Sequence, residues 1–331
     1  MYRGKIDRDE ISVLLKENGG FLSGTAIASR LGVTRTAVWK AIRLLKKDGY
    51  VIESSPAKGY HLRRSPDLCI PDLRKILSPG SIMGRQILFF ESVSSTNTVA
   101  MEMAAQGCAE GTIVIAETQT TGKGRLGRSW ISPAGKNLYM SIVLRPAMSP
   151  RDATALTLLS AVACASAIRH SSSVAVTIKW PNDIIVGDRK LGGILTEIKA
   201  DLDRITHAVV GIGINVNLAL ADMPDEIAVI ATSIINQTGE PSSRTELAGE
   251  VIREFDKWYG LLKTKGKQVI IDEWLAMSST IGKQVLVSAG KVHLKGSAEG
   301  IDDEGLLILK LADGTYRKVS AGDVTIARTR E

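Results

Sequence analysis

The net charge of this 331-residue chain is confined to its first fifth, and that confinement dictates how the chain can be organised. Residues 1–65 carry 13 Lys and Arg against 6 Asp and Glu, whereas residues 66–331 carry 29 of each. A +7 module therefore precedes an electrically neutral body. Separate domains with separate partners produce such a split, and the basic one points to a polyanion. The length agrees, because at roughly 100–200 residues per domain it accommodates two or three.

Composition narrows the class. Hydrophobic residues make up 44% and charged residues 23%, which suits a globular protein and excludes a disordered or collagen-like one. Cys69, Cys108 and Cys164 are odd in number and far apart, which excludes a disulfide framework and a zinc ribbon. The four histidines (His61, His170, His207, His293) form no HExxH-like pair, so no structural metal is indicated. The charged run Met1 to Glu10 is not a secretory signal. The uncharged run Ala153 to Ile168 is shorter than the ~20 residues of a membrane helix and reads as a buried helix. No membrane partner is expected, and the expected location is the cytosol.

Within the basic module, residues 6–18 place Ile11, Leu14 and Leu15 at helical spacing, and Gly19-Gly20 ends that segment. A short helix fits 23–30, with Ser23 and Thr25 as candidate caps. After Leu31 to Thr34, a tight connection, Thr34 is the candidate N-cap of a third helix over 35–47. Val38, Ile42 and Leu45 form its apolar stripe, while Arg35, Thr36, Trp39, Lys40 and Arg43 face elsewhere. Tyr50–Glu53 and Gly59–Leu62 then read as two short strands around a tip bearing Lys58. This pattern resembles a winged helix-turn-helix. Its third helix suits a major groove, and its tip suits a phosphate or the minor groove. Ser23, Thr34, Arg35, Thr36, Trp39, Lys40, Arg43 and Lys58 are the candidate DNA contacts. A helical docking domain with solvated cations fits the same residues, but helix-turn-helix pattern and localised charge together favour DNA. Pro66, Pro71 and Pro79 mark a linker at 66–82 that carries a short helix over 71–77.

Gly122-Lys123-Gly124-Arg125-Leu126-Gly127 matches G-x-G-x-x-G after an apolar strand, Thr112 to Glu117. A dinucleotide site would need that motif to open a helix, with an acid about 20 residues on. Here Pro133 and Gly135 follow, then a strand over 138–144, and 141–149 contains no acid. No Gly-Lys pair is followed by Ser or Thr, so a Walker loop is absent too. The segment reads instead as a basic clamp, in which glycines admit a ligand close to the backbone and Lys123, Arg125 and Arg128 neutralise it. Alone, such a loop is as readily a nucleic-acid contact or a mobile surface loop.

Further segments sharpen the reading. Thr177 to Val186 is a strand interrupted at Pro181, leaving Asp183 available as an oxygen ligand for a hard cation. Lys190 begins another strand beside small residues, and Gly211 and Gly213 leave one face of a third strand bare. Singly, each is more simply a glycine-bearing strand or a surface lysine.

Together these segments resemble the biotin–protein ligases, specifically the bifunctional group that also represses biotin operons. The resemblance spans essentially the whole chain. It rests on Ser95-Thr96-Asn97, on Ala116 to Gln119, on the loop Gly122 to Trp130, on Lys179-Trp180-Pro181-Asn182-Asp183, on Lys190 to Leu195 and on Gly211 to Asn215. One departure is Lys123, where many members have Arg: the charge is kept and the bidentate fork is lost.

The resemblance implies an α+β protein. A winged helix-turn-helix occupies 1–65, a class II synthetase-like mixed-sheet catalytic domain 83–278, and an SH3-like small β-barrel 279–331. It implies adenylation of biotin by ATP with Mg²⁺, then transfer to a lysine of a biotin carboxyl carrier protein. Lys190 and Arg125 are the implied catalytic cations. Ser95, Thr96, Asn97, Gln119, Gly124, Trp130 and Gly193 join Lys123, Arg125 and Lys190 around biotin. Arg128, Lys179, Asn182 and Asn215 join Lys123 and Arg125 around the nucleotide, and Asp183 is the implied Mg²⁺ ligand. A homodimer on two-fold operator DNA would follow, with the adenylate as corepressor.

Helical periodicity over 244–262 aligns Leu247, Val251 and Phe255, and Trp274 and Leu275 lie on another short helix. After Ser278 the pattern alternates over Gln284–Ser288, Leu306–Leu311 and Arg317–Ile326, with turns at Ala289-Gly290, Asp302–Gly305 and Asp313-Gly314. Two other functions compete: a ligand-sensing repressor without ligase activity, and a lipoate ligase. Lys190 and Asp183 count against the first; the DNA-binding module, the Lys179 to Asp183 run and the C-terminal strands count against the second.

Overall fold

A computed structural model describes residues 8–289, 292–320 and 322–326. The chain divides into two compact units between Ile76 and Leu77. The expected start of the first helix and residue 290 of the expected 289–290 turn lie outside the described residues.

In the first unit, α1 (Arg8–Asn18), α2 (Gly24–Leu31) and α3 (Arg35–Lys47) precede a hairpin of β1 (Val51–Ser55) and β2 (Gly59–Arg64). Ser23 and Thr34 cap α2 and α3 by accepting from the Ala26 and Ala37 amides. Each cap satisfies an orphan amide of its helix's first turn. Ile11, Leu15, Ile27, Val38, Ile42, Leu45 and Ile52 form the core. Gly59 has φ +100°, and a Cβ there would lie 2.2 Å from the Leu22 carbonyl oxygen. Only glycine lets the hairpin close onto the Leu22 strand bridge. The proline-bearing segment after the hairpin is not free linker. Its helix α4 (Ile70–Ile76) packs on α1, with Asp72 paired to Lys16 and Arg74 to Asp9.

The second unit opens with β3 (Ile87–Val93), α5 (Thr96–Ala105), β4 (Ile113–Gln119), β5 (Leu138–Leu144) and α6 (Thr154–Ser172). Then come β6 (Thr177–Lys179), β7 (Asp183–Val186), β8 (Arg189–Ala200) and β9 (Ile205–Ile214). The strands form one mixed seven-stranded sheet in the order β3-β4-β5-β9-β8-β7-β6, parallel at β3–β4 and antiparallel elsewhere. On β8, Glu197 reaches Asn97 of α5 while its neighbour Thr196 reaches Thr157 of α6. Successive strand residues face opposite ways, so α5 and α6 cover opposite faces. α6 is apolar enough to cross a membrane by composition, yet nearly all of Ala155 to Ile168 is buried inside the protein. It is the core helix expected from Ala153 to Ile168. Short helices α7 (Asp225–Ala228) and α8 (Ile234–Thr238) follow, then α9 (Arg244–Lys265), which packs on α6, and α10 (Gln268–Met277).

The C-terminal strands are β10 (Gln284–Ala289), β11 (Val292–Ile301), β12 (Leu307–Leu311), β13 (Tyr316–Val319) and β14 (Asp323–Ile326). They form an antiparallel sheet in the order β13-β12-β11-β10-β14. The strand expected over 317–326 is two strands. β13 ends at Val319, and β14 crosses to pair with β10 at the other edge. These five strands form the antiparallel sheet of the C-terminal β-barrel expected from the sequence. It belongs to the same compact unit as the seven-stranded sheet. The Trp180 indole donates to the Gly305 carbonyl at 3.1 Å, and the Trp180 amide to the Thr280 hydroxyl at 2.9 Å.

Candidate active site

A cavity of about 510 Å³ opens on the α5 face of the sheet, lined from β8, β9, the 122–130 loop and the start of β14. Its floor is the bare face expected from the glycines, and that face is used. A Cβ on Gly211 would fall 2.2 Å from Asn97 Oδ1, and one on Gly213 would fall 2.6 Å from Trp130 Cε2. A Cβ on Gly193 would meet the same indole at 3.2 Å. The alternating glycines therefore seat the Asn97 amide and the Trp130 ring directly on the strand backbone.

One end of the cavity is polar and already ordered. Thr96 donates to Gln119 Oε1 from its amide at 2.9 Å and its hydroxyl at 3.2 Å. Ser141, buried on β5, donates to Thr96 Oγ1 and Asn97 Oδ1. Asn97 donates to the Leu195 carbonyl and to Glu197 at 2.7 Å. Gln119 donates to Ser132 Oγ at 3.0 Å. Ser95 precedes α5, buried, and its hydroxyl makes no capping bond. Asn97 is thus spent on orienting its neighbours.

The middle is cationic. Lys190 Nζ lies 2.5 Å from Asp183 Oδ1 and 5.4 Å from the Trp130 ring centre. Lys179 Nζ lies 3.6 Å from Asp183 Oδ2. β7 and β8 pair Asp183 with Gly193, which sets the carboxylate beside Lys190. Arg125 donates to Asn182 Oδ1 at 3.0 Å, and Asn182 donates onward to the Ile194 carbonyl. Burial pulls the Arg125 guanidinium below its usual range, and Asp183 opposes that shift. A half-buried cation held this way is primed for an incoming anion.

Both oxygens of Asp183 thus face lysine ammonium groups. A single carboxylate in this setting cannot hold Mg²⁺ alone; the donor set fits an ion that arrives bound to phosphate and takes one oxygen from the protein.

The remaining residues separate into two sets. Lys123 is exposed and joins the loop's own bridge to Ser129. Gly124 backs onto Arg128, where a Cβ would lie 3.2 Å from its carbonyl oxygen. Arg128, expected at the nucleotide, lines the cavity and is paired with Asp323 of β14. Asn215, expected at the nucleotide as well, is buried: it accepts from Asn137 and donates to the Thr232 carbonyl at 3.0 Å, fixing the cavity wall. Sequence reasoning missed Ser141, Glu197 and Asp323, which lie on alternating strands without a motif. It also missed the apolar end, formed by Leu218, Met223, Pro224, Ile227, Ile230 and Ala231. Clustered apolar residues around the short α7 were the available signal.

In the first unit, Arg35, Thr36, Trp39, Lys40 and Arg43 are all exposed on α3. Ser23 and Thr34, expected as DNA contacts, use their side-chain oxygens as helix caps. Lys58 lies at the hairpin tip, its ammonium 5.7 Å from the Phe21 ring centre.

Residues 89–215 match the model of the biotin/lipoate A/B protein ligase family, residues 8–61 an HTH domain, and residues 280–326 the biotin protein ligase C-terminal domain. The bifunctional ligase/repressor BirA of Bacillus subtilis is 36% identical over 324 residues, covering 98% of this chain and 99% of that protein. The chain belongs to the BirA family. The Escherichia coli BirA is 30% identical, over 95% of both chains. A biotin protein ligase from Aquifex aeolicus, solved with biotin and ATP, superposes with a TM-score of 0.64 at 25% identity, covering 74% of this chain and all of that one. The BirA relatives span the whole chain, first unit included, whereas the Aquifex ligase covers three quarters of it.

Proposed function

We propose that this chain adenylates biotin with ATP, transfers the biotinyl group to a lysine of a biotin carboxyl carrier protein, and represses transcription at operator DNA. The observation that carries the reading is the juxtaposition of three zones in one cavity. A polar end, a cationic middle and an apolar end match a ureido head, a carboxylate meeting a phosphate, and a purine. The polar end also separates biotin from lipoate. A ureido group offers donors and an acceptor to Ser95, Thr96 and Gln119; a dithiolane offers neither, and would leave that network unpaired.

In the first step a carboxylate oxygen of biotin attacks the α-phosphorus, the bond to the bridging oxygen breaks, and pyrophosphate leaves. Two anions must meet, so the barrier is chiefly electrostatic. Lys190 is the main catalytic cation, pre-oriented by Asp183 and by the Trp130 ring. Arg125, Lys179 and Lys123 offset the remaining charge, and Asn182 aligns Arg125. Gly193 keeps the backbone clear for the ligand. Mg²⁺ bound with ATP supplies charge neutralisation of the phosphates, with Asp183 as its protein ligand. The loop then excludes water from a hydrolysable anhydride until an acceptor amine attacks its carbonyl and AMP leaves.

For DNA, Arg35, Thr36, Trp39, Lys40 and Arg43 line the face of α3 that enters the major groove, and Lys58 reaches the backbone. The active form is a homodimer on a two-fold operator, with biotinyl-5′-AMP as corepressor, acting in the cytosol.

Lys190→Ala tests the catalytic reading. Biotin-dependent pyrophosphate exchange should fall by about a hundredfold to a thousandfold, as when a preorganised charge-stabilising donor is removed. The side chain is one-third exposed, so the fold should survive. Near-normal exchange in that variant would remove Lys190 from the chemistry.

A further inference from the structure

We propose that Trp39 is a sequence-reading residue of the DNA-binding unit, and that the group it reads is the C5-methyl of thymine. The inference rests on the operator-binding reading above and names a contact within it.

α3 buries Val38, Ala41, Ile42 and Leu45 and exposes Arg35, Thr36, Trp39, Lys40, Arg43, Leu44, Lys46 and Lys47. Leu44 lies five positions on, about 140° around the helix from Trp39, and six of the other seven suit phosphates or polar base edges. Trp39 does not, and 51% of it is exposed. It takes no part in the unit's core, so packing does not account for it. Nor is the ring left to itself. The Arg43 guanidinium, one turn on, lies 5.4 Å from the ring centre. Helical side chains lean towards the N-terminus, so Arg43 reaches back over the indole and holds it. The result is an ordered apolar surface in the middle of a cationic face.

In the major groove each base pair displays donors and acceptors, and the thymine methyl is the apolar group among them. An indole carried into that groove has the methyl as its chemical match. A thymine there gains apolar contact, whereas a cytosine would leave the ring against a polar amino group. Phosphate contacts from Lys40 and Lys58 would carry no such preference.

The test uses full-length protein with biotin and Mg-ATP to select duplexes from a randomised DNA library. Each thymine of the selected duplex is then replaced by deoxyuridine, which keeps the base pair and removes only the methyl. Uracil at one or more positions should weaken binding about fourfold, the worth of one buried methylene. Trp39→Ala should bind the thymine duplex less tightly by a similar factor and lose nothing further on the uracil duplex. Trp39→Phe, which keeps an apolar ring, should retain part of the uracil penalty and serves if the alanine variant loses helix by circular dichroism. An unchanged uracil penalty in Trp39→Ala, or no penalty in the wild type, overturns the inference and leaves operator binding standing. Failure to select any sequence overturns both.

Discussion

Gly213 illustrates how single residues shape the cavity. The space its missing side chain leaves is filled by the Trp130 indole, and the space at Gly211 by the Asn97 amide. Gly213→Ala would place a Cβ 2.6 Å from the ring, which must then swing into the cavity. Overpacking of this kind costs about 1–3 kcal/mol, so biotin affinity should fall by roughly tenfold. Titration calorimetry checks this, and unchanged affinity would show that Trp130 does not wall the biotin site. At this scale the sequence was partly legible. Alternate glycines announce a bare face, and Lys190 and Asp183 announce charge. That Asp183 would lie between two lysines, or that Arg128 would pair with Asp323 of β14, needed the fold. Asp323 lies 195 residues from Arg128, and no spacing rule links them.

In the proposed mechanism, the 122–130 loop is the element on which catalysis depends. It is tied at three points: the Lys123–Ser129 bridge, Arg125 on Asn182, and Arg128 on Asp323. Leu126 within it has φ 55°, an uncommon conformation for a branched side chain, and is largely exposed. Arg125→Gly removes the inner tie and the cation together. The variant should still form adenylate but release it, seen as free biotinyl-5′-AMP by chromatography and as biotinylation of unrelated surface lysines. Adenylate retained as tightly as in the wild type would contradict the clamp. Elements with chemical punctuation were readable beforehand. Thr34 before α3 and the prolines and glycines after the loop set boundaries that the structure keeps. Elements without it were not. β11 and the division of 316–326 into β13 and β14 escaped, because alternation reports a strand but not where it turns or which edge it joins.

At the scale of the molecule, segregated charge and the division into compact units coincide. The basic stretch forms most of one compact unit, and the neutral remainder forms the other. The C-terminal sheet was separable in sequence by its change of period, yet it shares the cavity through Gly322 to Thr325. Periodicity distinguishes types of element, while burial of Trp180 against Gly305 decides what packs as one body. The central claim is that this body joins biotin to protein. The most direct test is the intact mass of a biotin carboxyl carrier domain after incubation with the chain, Mg-ATP and equal amounts of biotin and lipoate. The account predicts a single biotinyl adduct that disappears with Lys190→Ala. A lipoyl adduct, or no adduct on several competent carriers, would contradict it.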